Sequence, residues 1–187
     1  MKKILTGLAA ATFLLSFGAA SFAQEKAKIC FLYVGSKTDG GWTQAHDVGR
    51  LEVDKALGDK VETVFVENVP EGPDAERALE RFARSGCKLV FATSFGFMDP
   101  TVKIAEKFPD VKFEHATGYK SGPNLATYNS RFYEGRYIIG QIAGKMSKTG
   151  TAGYIASFPI PEVVQGINSF LLGAQSVVDQ HGGVAAV

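Results

Sequence analysis

Ile29-Cys30-Phe31-Leu32-Tyr33-Val34-Gly35-Ser36-Lys37-Thr38-Asp39-Gly40-Gly41-Trp42 is the stretch on which the fold turns. Its first six residues are apolar, rich in β-branched and aromatic side chains, and stop at a glycine, the pattern of a short buried strand. A polar, glycine-rich loop follows. From Trp42 to Leu57 the apolar positions recur at helical spacing until Gly58 ends the run. Strand, loop and helix in that order form half of a βαβ unit.

The unit repeats along the chain. Residues 61–66 read as a second strand, and Pro73-Asp74 opens a charged helix that runs to about Ser85, with Gly86 as its stop. Residues 88–93 form a third strand, Asp99-Pro100 starts a helix ending near Phe108-Pro109, and 111–115 and 125–128 are further strands. A helix over 132–146, a strand over 152–156 and a helix over 161–178 complete the pattern. Strands alternating with helices in this way specify an α/β fold with a parallel sheet covered on both faces. No short-period repeat, low-complexity tract or coiled coil interrupts it.

The composition agrees. Of the 187 residues 45% are hydrophobic and 21% charged, enough apolar side chain for a core, and the net charge is only +1. No lysine or arginine block exists to neutralise phosphates, so the expectation is no nucleic-acid partner. Lys2 and Lys3 precede an apolar run from Ile4 to Phe17, and Ser21-Phe22-Ala23 gives a small-x-small ending. That is a cleavable secretory signal over residues 1–23, too short and interrupted for a membrane span. Its removal takes two lysines and no acids, leaving the mature chain close to neutral. Cys30 is preceded by Ala27-Lys28-Ile29, a context that does not suit lipid attachment, so the expectation is a soluble periplasmic protein and not a lipoprotein.

In open parallel sheets ligands bind beyond the carboxyl ends of the strands. The loops there hold Gly35 to Trp42, then Ser94-Phe95-Gly96-Phe97-Met98-Asp99, then His115-Ala116-Thr117-Gly118-Tyr119, then Asn129-Ser130-Arg131-Phe132-Tyr133. Glycines let backbone approach a ligand, aromatics supply flat faces, and Asp and Asn hold polar edges. The mixture suits a planar small molecule with a polar rim.

The segments VGSKTDGGWTQAHDVGR, VENVPEG, ATSFGFMDP, FPDVKFEHATGY, ATYNSRFYEGRY and YIASFPIPEVVQGIN closely resemble the basic membrane protein (BMP) family of ABC-transporter solute-binding proteins. The similarity runs almost continuously from about Lys28 to about Ser176. It implies a type I periplasmic binding fold, two Rossmann-like lobes with the ligand between them. It also implies a purine nucleoside or nucleobase as ligand, ABC permease and ATPase subunits of the inner membrane as partners, no cofactor, and a monomer. By position, Trp42 is implied to stack on the base, with Ser94, Phe95 and Asp99 in the first lobe's wall and Asp39 where the first loop nears the ligand. The second lobe is implied to add Phe158, while Gly166 stands where some relatives carry an aromatic. The organisation then reads as signal 1–23, first lobe 24–150, and the beginning of an incomplete second lobe over 151–187, hence a C-terminally truncated chain.

Each residue also has a plainer reading. Trp42 could plug its helix onto the sheet, Asp39 could be a turn residue beside Gly40, and Asp99 could cap the helix that Pro100 enters. His115, ending an apolar strand, fits a hydrogen-bonded structural role better than catalysis, and no histidine has a zinc-spaced partner. Cys30 and Cys87 begin the first and third strands. In the 2-1-3 order expected of this fold those strands are neighbours, a spacing compatible with a disulfide, with the offset along the strands left open. The competing functions are a nucleoside hydrolase using Asp39, Asp99 or His115, and a periplasmic sensor domain. The chain lacks a P-loop, a dinucleotide turn and a nucleophile elbow, which favours a binder over an enzyme.

Overall fold

The structure is a computed structural model that describes residues 25–178; the proposed signal segment 1–23 and the tail beyond Val178 lie outside the described residues. The elements are β1 (Ala27–Leu32), α1 (Trp42–Leu57), β2 (Val61–Val66), α2 (Pro73–Arg84), β3 (Leu89–Ala92), a 3-10 turn (Phe95–Phe97), α3 (Met98–Lys107), β4 (Lys112–Ala116), β5 (Leu125–Tyr128), α4 (Phe132–Met146) and α5 (Pro161–Val178). The strands form one parallel sheet in the order β2-β1-β3-β4-β5. Parallel neighbours require crossover connections, and α1, α2 and α3 supply the first three. The last is a loop, pinned by Asn124, whose side-chain amide donates to the carbonyls of Ala105, Phe108 and Val111 at the end of α3.

Side chains alternate across each strand, so the two faces of the sheet differ. Cys30, Leu32, Val90, Ala92 and Phe113 point to one face and form the main apolar core. There α2 buries Ala75, Ala78, Leu79, Phe82 and Ala83, one stripe at helical spacing, and α3 adds Ile104 and Ala105. The other face is aromatic. Phe31 and Phe91 stack at 4.8 Å between centroids, and Tyr33 lies 5.8 Å from Phe65.

Helix α1 meets this aromatic face with charge. Buried Arg50 donates from Nε to Asp47 Oδ1 at 2.7 Å, and from Nη1 to Asp54 Oδ2 at 2.9 Å and Thr63 Oγ1 at 3.0 Å. Tyr33 Oη donates to the same Asp47 oxygen at 3.2 Å. Burial, with Asp47 beside it, pushes the Tyr33 phenol well above its usual range. A buried charge is tolerated only when paired and hydrogen-bonded, and this network meets that condition.

The structure differs from the sequence reading in three places. Residues 152–156, expected as a strand, pair with no strand among the described residues. Extended backbone without a neighbour has no ladder to hold it. Helix α4, assigned by sequence to the first lobe, packs chiefly on α5. Glycine makes that approach possible: a Cβ at Gly140 would stand 2.1 Å from Phe170 O, and one at Gly173 2.1 Å from Tyr137 O. Cys30 is the fourth residue of β1, not its first, and is fully buried with Cys87 in the core.

Cys30 in β1 and Cys87, two residues before the neighbouring β3, are joined by a disulfide, with Cα atoms 6.0 Å apart. It closes a loop spanning α1, β2 and α2. Replacing both cysteines by alanine should remove about 2–4 kcal/mol, roughly 4–16 °C of melting temperature. Scanning calorimetry of the variant and of the reduced protein checks this, and ligand affinity should not change.

Candidate functional site

Every strand of a parallel sheet ends at the same edge, and the loops leaving β1, β2, β3 and β4 meet there. They line a cleft of about 520 Å³ with Val34, Trp42, Glu71, Ser94, Phe95 and Thr117. The facing wall is the segment before α5 and its first turn, with Ser157, Phe158, Ile160, Glu162 and Val163. Of the residues singled out in sequence, Trp42, Ser94, Phe95 and Phe158 come together in this cleft. Asp39 and Asp99 are not among its lining residues.

Trp42 is the first residue of α1, half in and half out of solvent. Its Nε1–H donates to Thr93 O at 2.5 Å, tying the first loop to the end of β3. His46, one turn along α1, lies 4.8 Å from the indole and its Nδ1 meets Trp42 O at 2.8 Å. Burial holds the His46 imidazole below its usual range. Phe132 approaches the indole at 5.8 Å. The indole is therefore pinned at its nitrogen and backed on its ring.

Asp39 sets that position from one turn upstream. Its carboxylate accepts the N–H groups of Gly41 at 2.8 Å, Thr43 at 2.9 Å and Gln44 at 3.0 Å, capping the otherwise unpaired amides that begin α1. Those bonds, led by the one from Gln44, lower its pKa to about 2. Asp99, in the first turn of α3, is largely exposed and ion-paired to Lys120 Nζ at 2.5 Å. Asp39 thus caps α1, while Asp99 sits in a surface pair and does not cap α3, whose N-cap position is Phe97.

Phe95 lies between two aromatics, 5.5 Å from Phe158 and 6.1 Å from Tyr119, whereas Phe97 is fully buried in the core. Thr117 has φ of 61°, a conformation that a β-branched residue rarely adopts, at the floor of the cleft. Gly166 borders an adjoining cavity of about 330 Å³ with Trp42, Phe132, Arg136 and Tyr154. A Cβ on Gly166 would meet Tyr154 Oη at 3.5 Å, ordinary contact.

His115 is fully buried, and against the hydrogen-bonded role expected from sequence neither ring nitrogen has a partner in hydrogen-bond geometry. Burial brings its imidazole down to about 4, so it stays neutral at ordinary pH. Among the described residues no group of three or more His, Cys, Asp or Glu is placed to hold a metal ion. No helix among them is long and apolar enough to cross a membrane.

The residue that sequence reasoning missed is Glu71. It reads as one more polar turn residue between Pro70 and Gly72, yet its carboxylate lines the cleft and accepts Ser94 Oγ at 2.6 Å. Only its place just beyond β2, on the ligand-facing edge, could have marked it out.

The parallel sheet and its connections have the type I periplasmic binding fold of its structural neighbours. An ABC transporter solute-binding protein from Aeropyrum pernix superposes with a TM-score of 0.70 at 24% identity, over 85% of this chain and 46% of that one. One from Conexibacter woesei gives 0.64 at 21% identity, over 86% and 54%. The chain belongs to the family of PnrA-like ABC transporter substrate-binding proteins (Bmp), whose model matches residues 26–180. It is 67% identical to a purine-binding protein of Brucella abortus over 86% of this chain and 46% of that protein. It is 43% identical, over 82% of this chain and 39% of the other, to a Haloferax volcanii protein named for glucose binding by an ABC transporter. The chain spans about half the length of the curated relatives it matches.

Asp39 supports a pH prediction. A carboxyl whose pKa is depressed on folding stabilises the protein above its unfolded value, near 3.8, and loses that contribution as pH falls toward about 2. Asp39→Ala should therefore lower the melting temperature at pH 7. The gap to the unsubstituted protein should close between about pH 4 and pH 2, as thermal melts across that range would show.

Proposed function

We propose that the protein is the exported substrate-binding component of an ABC importer and captures a purine nucleobase or nucleoside. The observation that carries the reading is a pinned, half-exposed Trp42 lining one cleft with Phe95 and Phe158. Flat aromatic faces hold a heteroaromatic ring by stacking, and Glu71, Ser94 and Ser157 offer polar contacts to its rim. A 67% identical relative named for purine binding supports the ligand class. In this reading the sheet, with α1 to α3, is one lobe, and the facing wall with α4 and α5 starts the other. Closure between them would exclude water and complete the contacts. The partners are a membrane permease and its ATPase, the protein works as a monomer, and export uses the signal over residues 1–23.

A sugar is the second reading, because a 43% identical relative is named for glucose and an aromatic face with nearby carboxylates also suits a pyranose. A hydrolase is less well supported. The acid and base it would use do not converge: Asp39 caps a helix, Asp99 pairs with Lys120, and His115 is buried away from solvent. A sensor role would use the same binding chemistry with a different partner, and the family of transport proteins favours import.

Calorimetric titration with adenine, hypoxanthine, adenosine, inosine and glucose tests the ligand. Saturable purine binding is expected. Trp42→Ala should weaken it by roughly 5- to 100-fold, the worth of a base stacked on an aromatic. Glucose binding without purine binding would replace the reading with the sugar one, and steady release of free base from inosine would replace it with the hydrolase.

A further inference from the structure

Two carboxylates line the cleft, Glu71 and Glu162, and Glu71 is the one fixed from the opposite loop. Glu71 Oε1 accepts both Ser94 Oγ, at 2.6 Å, and the backbone N–H of Gly96, at 3.2 Å. Glycine at position 96 is what lets the carboxylate seat, since a Cβ there would lie 2.0 Å from Glu71 Cδ. Two donors and a close backbone approach hold the group in one orientation, which lowers the ordering cost of binding. The second oxygen, Oε2, receives no hydrogen bond from the described residues at the cleft. The acids expected near the ligand are engaged elsewhere, Asp39 by three backbone amides and Asp99 by Lys120.

A half-buried carboxylate oxygen without a donor is costly when a ligand displaces its water, unless the ligand brings a donor of its own. A carboxylate accepts and does not donate, so it distinguishes ring edges by polarity. We infer that Glu71 determines ligand specificity: its Oε2 accepts a hydrogen bond from an N–H on the edge of the ring held at Trp42. The cleft then selects heterocycles that present a ring or amino N–H to Glu71 and rejects flat rings of equal size that present only acceptors. The inference rests on the purine reading above and deepens it, because it states which feature of a purine is recognised.

Glu71→Gln isolates the effect. The amide oxygen can still accept from Ser94 and Gly96, which keeps the side chain in place, while the open acceptor becomes an NH2 donor. The probes are adenine, which carries N–H groups, and 9-methylpurine, which carries none. The unsubstituted chain should bind adenine at least about 10-fold more tightly than 9-methylpurine, and Glu71→Gln should weaken adenine by about 10- to 100-fold with 9-methylpurine unchanged or improved. A melting curve confirms that the variant is folded; if it is not, Glu71→Asp, which keeps the charge and withdraws it by one methylene, should show the same selective loss. Equal affinities for adenine before and after substitution, or equal losses for both probes, would overturn the inference and leave the purine reading standing. Failure of the unsubstituted chain to bind any purine would overturn both.

Discussion

The sheet runs parallel throughout, and that constraint organises the rest of the molecule. Five strands in one direction place every carboxyl end on one edge, so loops far apart in sequence meet there. Residues 34, 42, 71, 94, 95 and 117 share one wall for this reason alone. The two faces bear different burdens. The α2–α3 face holds the apolar core and the disulfide, while the α1 face stacks aromatics and satisfies its buried charges internally.

On that frame a few polar contacts position the flat side chains. Asp39 caps α1 and so fixes where the helix, and Trp42 at its start, begins. The indole N–H then reaches across to Thr93 O and locks the first loop to the third. Glu71 performs the same service between the second and third loops through Ser94 and Gly96. Two cross-loop ties hold the aromatic and acidic components of the cleft before any ligand arrives, which reduces the ordering that binding must otherwise supply.

Much of the fold was legible in the residues. The bounds of α1, β2, β5, α4 and α5 follow from apolar periodicity and from their glycine and proline stops, and the 2-1-3 strand order placed Cys30 beside the strand that follows Cys87. What periodicity does not carry is which element a helix packs against. The apolar face of α4 fits a sheet or another helix equally well, and the choice of α5 depends on the spacing of Gly140, Gly144 and Gly173. The site divides in the same way. The cleft aromatics were named through the family resemblance, since residue type alone leaves Trp42 open between packing its helix and facing the cleft, and Phe97, beside Phe95, is core. The roles of the acids were not legible, because Asp39, Asp99 and Glu71 all stand beside glycine or proline in turn-like sequence. Only three-dimensional partners separate a cap and a surface pair from a cleft residue.

In the proposed function a purine ring lies against Trp42. Trp42 is the chain's only tryptophan, so its fluorescence reports on that one surface. Titration with adenine and with hypoxanthine should change the emission saturably, while glucose leaves it unchanged. Emission that stays constant through the purine titrations and changes saturably with glucose would place a sugar, not a purine, at Trp42.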